Sequence, residues 1–463
     1  KLNNSMRSWT WNKIRSGHYK IVIGARSAIF SPIKDLGIII IDEEQENSYK
    51  QDSSTPRYHA RDVALMRAKI NKIPILLSSA TPSIESYFNH INHKYSYLQL
   101  KKRYGGAKYP KVNIIDMNTE RDETGRPGQI LSGALLNKME DRLNKKEQII
   151  LMQNRRGFSP ILSCGDCGKL EMCKRCNIPL AYHKKGPPLK CHFCGYFLEN
   201  ITPYCKECKS SNILMIGTGT QKIEDLVRKT FPNKSLVRID MDTTRSAINL
   251  KNSISSFAAG DIDILLGTQM IAKGLDFDNA TLVGIINADT GLFLPDFRSG
   301  ERLFQLIYQT AGRSGRRKKP GEVIIQTYNP ENSVIKYASS LDIESYYKMI
   351  LDERKMLNYP PYSWLAKLEF SSKDKNRLNK IIDKIYNHLK SPYKGLEILG
   401  PVECYYERIR NKFRMQIILK SYKSVDPNGD KINKYINENL SNWNSIKYSD
   451  TKINIDINPA SLL

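Results

Sequence analysis

Eight of the nine cysteines in this 463-residue chain fall within residues 163–211. They form four Cys-x-x-Cys pairs: Cys164/Cys167, Cys173/Cys176, Cys191/Cys194 and Cys205/Cys208. The stretch has little apolar periodicity, so it needs some other source of stability. Residues 1–10 lack the apolar run of a secretory signal, which points to a reducing compartment where clustered thiols are metal ligands more often than disulfides. Each pair offers two thiolates from one tight knuckle, and a tetrahedral zinc ion takes two knuckles. Four knuckles therefore predict two closed four-cysteine sites, structural rather than catalytic because neither keeps an open position. Three pairings are possible. Five residues separate the first two knuckles, which is short for folding one onto the other, while fourteen separate the second and third. A hairpin over that longer spacing would bring the first and fourth knuckles together at its base. The expected arrangement is nested: Cys164, Cys167, Cys205 and Cys208 on one ion, and Cys173, Cys176, Cys191 and Cys194 on the other. His183 and His192 are spare ligand types, but eight thiols already fill two sites. Cys404 stands alone in a predicted strand and reads as a core residue.

Around this insert the pattern is α/β. Continuous apolar runs at 20–23, 36–41, 73–77, 148–152, 262–266, 282–286 and 323–325 suit parallel strands covered on both faces. Helical segments such as 59–69 and 221–230 separate them. In such sheets ligands bind at the carboxyl ends of the strands. After Pro360-Pro361 the rhythm changes to strand 365–370, helix 373–389, strands 396–406 and 412–420, helix 430–440 and strand 452–457, a β-α-β-β-α-β order of ferredoxin-like type. The length suits about three domains of about 150 residues each. No apolar run reaches the length of a membrane span. Lys and Arg outnumber Asp and Glu by 25, which favours a polyanionic partner, although a chain crowded with Lys, Asn and Ile also reflects compositional bias.

The run 36–41 delivers Asp42 and Glu43 to the carboxyl end of a buried strand. That is the Walker B geometry, in which the first acid holds Mg2+ and the second polarises the attacking water. Ser79-Ala80-Thr81-Pro82 follows the next strand and resembles the motif that couples nucleotide state to DNA contact in superfamily 2 helicases. Gln309-Thr310-Ala311-Gly312-Arg313-Ser314-Gly315-Arg316 is similar to their Gln-x-x-Gly-Arg-x-x-Arg motif. Arg313 and Arg316 would neutralise charge on the transferring γ-phosphate of ATP. Thr268, Gln269, Gly274 and Asp276 lie in a segment resembling the adjoining motif that touches both DNA and nucleotide.

More specific runs are Gly24-Ala25-Arg26-Ser27, Asp42-Glu43-Glu44-Gln45, Arg57-Tyr58-His59-Ala60-Arg61-Asp62, Asn154-Arg155-Arg156-Gly157 and Pro295-Asp296-Phe297-Arg298-Ser299-Gly300-Glu301-Arg302. With Tyr359-Pro360-Pro361-Tyr362 and the four knuckles after Asn-Arg-Arg-Gly, they resemble the PriA-type primosomal helicases along essentially the whole chain. The resemblance implies two RecA-like superfamily 2 lobes. The C-terminal part of lobe 1 would occupy 1–105, lobe 2 would occupy 106–162 and 212–335, and the zinc insert 163–211. A connecting helix and the C-terminal domain would occupy 336–463. It implies ATP-dependent 3′→5′ unwinding, recognition of abandoned forks and loading of the replicative helicase. Arg26 and Ser27 would contact the DNA backbone, and residues 49–58, Tyr58 included, would sense DNA, with ordinary packing as the alternative for Tyr49, Tyr58 and His59. Implied partners are branched and single-stranded DNA, single-stranded-DNA-binding protein, primosome proteins and the replicative helicase with its loader. The implied setting is the bacterial cytoplasm, at forks on the nucleoid.

Two departures matter. No Gly-x-x-x-x-Gly-Lys-[Ser/Thr] occurs; the nearest run, from Gly217 to Lys222, has the wrong spacing. In the family that loop lies upstream of the segment matching 1–11, and the chain does not begin with Met, so it reads as a fragment expected to bind ATP poorly by itself. A non-catalytic, zinc-containing DNA- or primosome-binding module is the competing expectation. Gln45 also stands where the family usually has His; it can donate hydrogen bonds but cannot become charged.

Overall fold

The computed structural model describes residues 3–463 except 53, 101–108, 125–129, 154–160, 165, 168, 170, 175–179, 183–187, 192–195, 217–219, 241–246, 269–276, 293–295, 314–318, 390 and 446–450. Its centre is a six-stranded parallel sheet, ordered Leu236–Ile239, Ile264–Gly267, Gln148–Met152, Ala280–Ile285, Glu322–Thr327, Lys111–Asp116. The middle strands are buried throughout and mostly apolar because both faces are covered. Ile150, Met152, Leu265, Val283, Ile285 and Val323 point to a core shared with helices Ser299–Ala311, Ser333–Ser339 and Ile343–Met356. Ile149, Leu151, Ile264, Leu266, Leu282 and Ile324 point the other way, onto Leu135, Met139 and Leu143 of Gly133–Asn144 and onto Ile223 and Val227 of Thr220–Thr230. Strict period-two alternation hides inside an apparently unbroken hydrophobic run, as a doubly covered sheet requires.

The first lobe contributes two parallel strands, Ile39–Asp42 and Ile75–Ser78, with helix Ala60–Asn71 packed on one face through Ala64 and Ala68. His59 caps that helix, its Nδ1 accepting from the Arg61 amide. The run 20–23, expected to be a strand, is irregular, with Ile21 and Ile23 exposed. Apolar composition alone does not make a strand where no neighbouring strand supplies ladder partners. Helix Ile84–Ile91 crosses to the second lobe, where Ile84, Tyr87 and Phe88 join the larger core.

The insert is a small antiparallel sheet, ordered Phe197–Leu198, Leu189–Lys190, Ala181–Tyr182, Ile161–Cys164, Ile213–Ile216. Strands Ile161–Cys164 and Ile213–Ile216 pair directly, Cys164 opposite Ile213, so both ends of the insert meet at its base. The C-terminal domain has the predicted order, with strands Ser363–Ser372, Leu396–Ile409, Lys412–Tyr422 and Lys452–Ile457 and helices Lys375–His388 and Asp430–Ser445. Its sheet is antiparallel with spatial order second, third, first, fourth, and the helices bury one face through Leu378, Ile381, Ile382, Ile385, Ile432 and Leu440. Cys404 is a buried core residue of the second strand, and burial pushes its thiol up to about 11. Tyr406 and Ile409, near the tip of the long hairpin, pack against the small core of the insert.

Candidate motor cleft and zinc centres

Strand Ile39–Asp42 ends with Asp42 exposed at the cleft and Glu43 in a left-handed backbone conformation (φ 50°). A non-glycine residue is strained there, at a cost of about 1–3 kcal/mol, and the turn redirects the chain so that consecutive acids face different surroundings. Glu43 Oε2 accepts from Gln45 Nε2 at 2.6 Å, and Gln45 Oε1 accepts from Ser79 Oγ at 2.5 Å. Ser79 Oγ in turn accepts from the Thr81 amide at 2.9 Å. From the second lobe, Gln309 Nε2 reaches Glu43 Oε2 at 3.3 Å and Thr81 Oγ1 at 3.4 Å. Glu43, Gln45, Ser79, Thr81 and Gln309 thus converge from two strand ends and one helix end, with Asp42 and Ala80 beside them in the chain. Gln309 lies near the end of Ser299–Ala311, and Arg313 follows in the turn beyond, its amide donating to Thr310 O. Thr268 is buried just past the end of strand Ile264–Gly267. Gln269, Gly274, Asp276 and Arg316 lie outside the described residues.

Arg26 is turned onto the loop that follows. Its guanidinium donates to the carbonyls of Ser48 (3.2 Å) and Lys50 (2.6 Å) and lies 5.9 Å from the Tyr58 ring centre. Ser27 beside it is exposed. Tyr49 donates its hydroxyl to the Asp42 carbonyl at 2.7 Å, and the Gln51 amide donates to the Tyr58 carbonyl, so the loop is fastened to the acid-bearing strand. These residues border a cavity of 1350 Å³ between the lobes and the C-terminal domain.

Sequence reasoning assigned no role to the third acid. Glu44 is buried and accepts from Arg61 (2.7 Å), the Ser83 amide (2.6 Å) and Ser86 Oγ (3.0 Å). A second buried cluster joins the lobes. Glu301 accepts from Arg354 at 2.6 Å and from the Ile84 amide at 3.3 Å, while Glu85 pairs with Arg298 at 2.8 Å. Burial raises the Glu85 carboxyl, but Arg298, Arg354 and Arg61 outweigh it and hold it far below the ordinary carboxylate range. Charged residues inside apolar helical faces were the available signal, since such groups are buried only when paired.

In the insert, one sulfur from each of Cys164, Cys167, Cys205 and Cys208 lies within 4.8 Å of the other three. Cys164 and Cys208 sulfurs are 3.5 Å apart, and those of Cys167 and Cys205 3.6 Å. Zn–S bonds of about 2.3 Å at tetrahedral angles put sulfurs about 3.8 Å apart, so the donor set fits zinc in number, type and spacing. The first cysteine of three knuckles donates its amide to the carbonyl five residues on: Cys164 to Lys169, Cys191 to Tyr196 and Cys205 to Ser210. Amides of Cys167 and Asp166 aimed at the Cys164 sulfur pull its thiol down to about 7, and those of Cys208 and Glu207 lower Cys205. Cys173 and Cys191 are buried in one small core with Leu162, Leu180 and Leu189; Cys176 and Cys194 lie outside the described residues.

Comparison with known proteins follows the same divisions. Residues 355–460 match the primosomal protein N C-terminal domain, 197–318 the helicase conserved C-terminal domain, and 173–196 the PriA DNA helicase Cys-rich region. The chain is 42% identical over 456 residues to the replication restart protein PriA of Bacillus subtilis, covering 98% of this chain and 55% of that protein. It is 36% identical over 467 residues to that of Borreliella burgdorferi, covering all of this chain and 68% of its relative. The chain belongs to the PriA family. The fold expected from the sequence is therefore the PriA one in its main parts: a helicase C-terminal lobe with the PriA zinc-ribbon, Cys-rich region and the PriA C-terminal domain. The chain spans about half the length of most of the PriA relatives it matches. No helix among the described residues is long and apolar enough to cross a membrane.

Proposed function

We propose that this chain is the core and C-terminal portion of an ATP-driven 3′→5′ DNA helicase that remodels stalled forks and starts primosome assembly. The observation that carries the reading is the polar chain Ser79–Gln45–Glu43–Gln309–Thr81, which spans both lobes. Asp42 would hold Mg2+, and Glu43 would take the proton of the attacking water. Mg2+ supplies charge neutralisation at the phosphates when bound. Arg313 and Arg316 would stabilise charge on the transferring phosphoryl group, with Gly274 and Asp276 at the nucleotide side. Arg26, Ser27, Tyr58, Thr268 and Gln269 would contact single-stranded DNA. Two structural zinc ions would sit on Cys164, Cys167, Cys205 and Cys208 and on Cys173, Cys176, Cys191 and Cys194. Branched DNA, single-stranded-DNA-binding protein, other primosome proteins and the replicative helicase with its loader are the proposed partners, in the bacterial cytoplasm at forks. The proposed division places lobe 1 in 1–105, lobe 2 in 106–162 and 212–335, the insert in 163–211 and the C-terminal part in 336–463.

The sequence holds no Gly-x-x-x-x-Gly-Lys-[Ser/Thr], which favours a second reading in which these 463 residues act as a DNA- and primosome-binding scaffold. Steady-state ATPase with and without a forked DNA separates the two. The chain alone should hydrolyse negligibly, and a longer protein carrying it should be DNA-stimulated and silenced by Glu43→Gln. Full turnover in that variant would refute the helicase mechanism.

A further inference from the structure

Strand Lys452–Ile457 is the edge strand of the C-terminal sheet, paired on one side with Ser363–Ser372. An edge leaves backbone acceptors that need cover. Here the cover comes from the first lobe. Lys50 Nζ donates to the Ile457 carbonyl at 2.6 Å and pairs with Asp456 at 2.8 Å, and Arg57 reaches the Ile455 carbonyl at 3.5 Å. Lys50 belongs to the same loop that Tyr49 fastens to Asp42 and Arg26 fastens to the Tyr58 ring.

Beyond the strand, the tail turns toward the second lobe. Arg302 donates to the Ala460 carbonyl, Ser461 Oγ donates to Asp296 at 2.5 Å, and the Leu462 amide reaches the same Asp296 oxygen at 3.3 Å. Lys367 of the C-terminal sheet donates to the Leu462 carbonyl at 3.0 Å and to a main-chain oxygen of Leu463 at 2.9 Å. Arg302 and Asp296 also pair with each other at 3.3 Å. Arg302 precedes Gln309 by seven residues on helix Ser299–Ala311. Two turns of helix put both side chains on nearly the same face, about 10 Å apart. One continuous segment thus touches the loop behind Glu43 at one end and the helix bearing Gln309 at the other.

We propose that residues 452–463 form a coupling strap, with Asp456, Ser461 and Asp296 as positioning residues that make the setting of Gln309 depend on the loop around Lys50. The strap itself is independent of the helicase reading; only the claim that DNA moves the loop rests on it.

Hydrogen–deuterium exchange of the 463-residue chain tests both parts, with zinc content and protection of strand Gln148–Met152 as fold controls. Ser461→Ala and Asp296→Asn should each speed exchange roughly ten-fold at residues 47–51, which neither side chain touches, as expected for the loss of about one hydrogen bond. Acceleration confined to 296–302 and 458–463 overturns the strap. A second arm adds a 20-nucleotide oligothymidylate. Protection at 47–51 together with altered exchange at 299–304, the latter lost in Ser461→Ala, supports coupling. Protection at 47–51 with no change at 299–304 overturns coupling and leaves the DNA-contact reading standing. If the oligonucleotide leaves 47–51 unchanged, the DNA-sensing role of the loop fails, while the DNA-free arm still decides the strap.

Discussion

The Gln45 side-chain amide donates to Glu43 Oε2 at 2.6 Å and holds the carboxylate that faces Gln309 across the cleft. Its other end accepts from Ser79, so one neutral side chain joins the acid to the Ser-Ala-Thr segment. Losing a hydrogen bond to a charged group costs about 1.5–3 kcal/mol, or roughly 10–100-fold in rate if the contact persists in the transition state. In a longer protein carrying this segment, Gln45→Ala should reduce DNA-stimulated ATPase by about that factor. Gln45→His should keep the activity but add a titration near pH 6.5 to its pH profile, where the native residue gives none. A flat profile for the histidine variant would separate position 45 from coupling.

Glu43→Gln should lower ATP hydrolysis in the longer protein by about 10²–10⁴-fold, the usual worth of a positioned proton acceptor. DNA affinity, read by fluorescence anisotropy, should stay within about two-fold, because Arg26 and Tyr58 hold each other and not Glu43.

Metal analysis of the chain should return about two zinc ions, each on four thiolates. Cys205→Ser should lower that to about one and loosen the base of the insert, since structural zinc contributes about 10–16 kcal/mol of folding free energy in small domains. The parallel sheet of the second lobe shares no cysteine ligand and should keep its own unfolding transition.

Glu301→Ala should destabilise the chain by about 3–5 kcal/mol in urea unfolding, because Arg354 would remain buried with only the more distant Glu85 carboxylate, at 3.9 Å, as its ionic partner. The double variant Glu301→Leu with Arg354→Met should recover most of that loss. No recovery would mean that Glu301 acts mainly through the Ile84 amide.

His59 gives a pH dependence of defined sign. Burial, followed by Arg61, lowers its imidazole from 6.5 to about 4. The unfolded chain takes up the proton first. The contribution is complete above pH 6.5 and is lost as pH falls toward 4. Between pH 7 and 5 the wild type should lose about 2 kcal/mol more than His59→Asn, which keeps the cap and removes the titration. Equal losses in the two proteins would assign the acid sensitivity to other groups.

Much of this arrangement was legible in the residues. The central strands were visible because double burial makes unbroken apolar runs, and the C-terminal order because its strands and helices alternate cleanly. Leu236–Ile239 escaped because Arg238 interrupts it, yet that arginine is paired with Glu224 and Asp240. Lys111–Asp116 escaped because it is a half-buried edge strand whose apolar run is interrupted by Asn113. In the cleft, the acids could be named from their place at the end of a buried strand, and Gln309 from the resemblance of its motif to a known helicase motif. Glu44, Lys50 and Asp296 could not, because their roles come from partners far away in sequence: Ser83, Asp456 and Ser461. Hydrophobic periodicity reports which face is inside; it does not report which charge will meet which across a domain boundary.

The two strands at the base of the insert, Ile161–Cys164 and Ile213–Ile216, lie side by side. An excursion whose ends already touch imposes almost no closure entropy on its host, and lengthening it costs only logarithmically. The second lobe is therefore a socket: the ribbon can be enlarged, trimmed or exchanged over evolution, or by an engineer, while the parallel sheet beneath keeps its register.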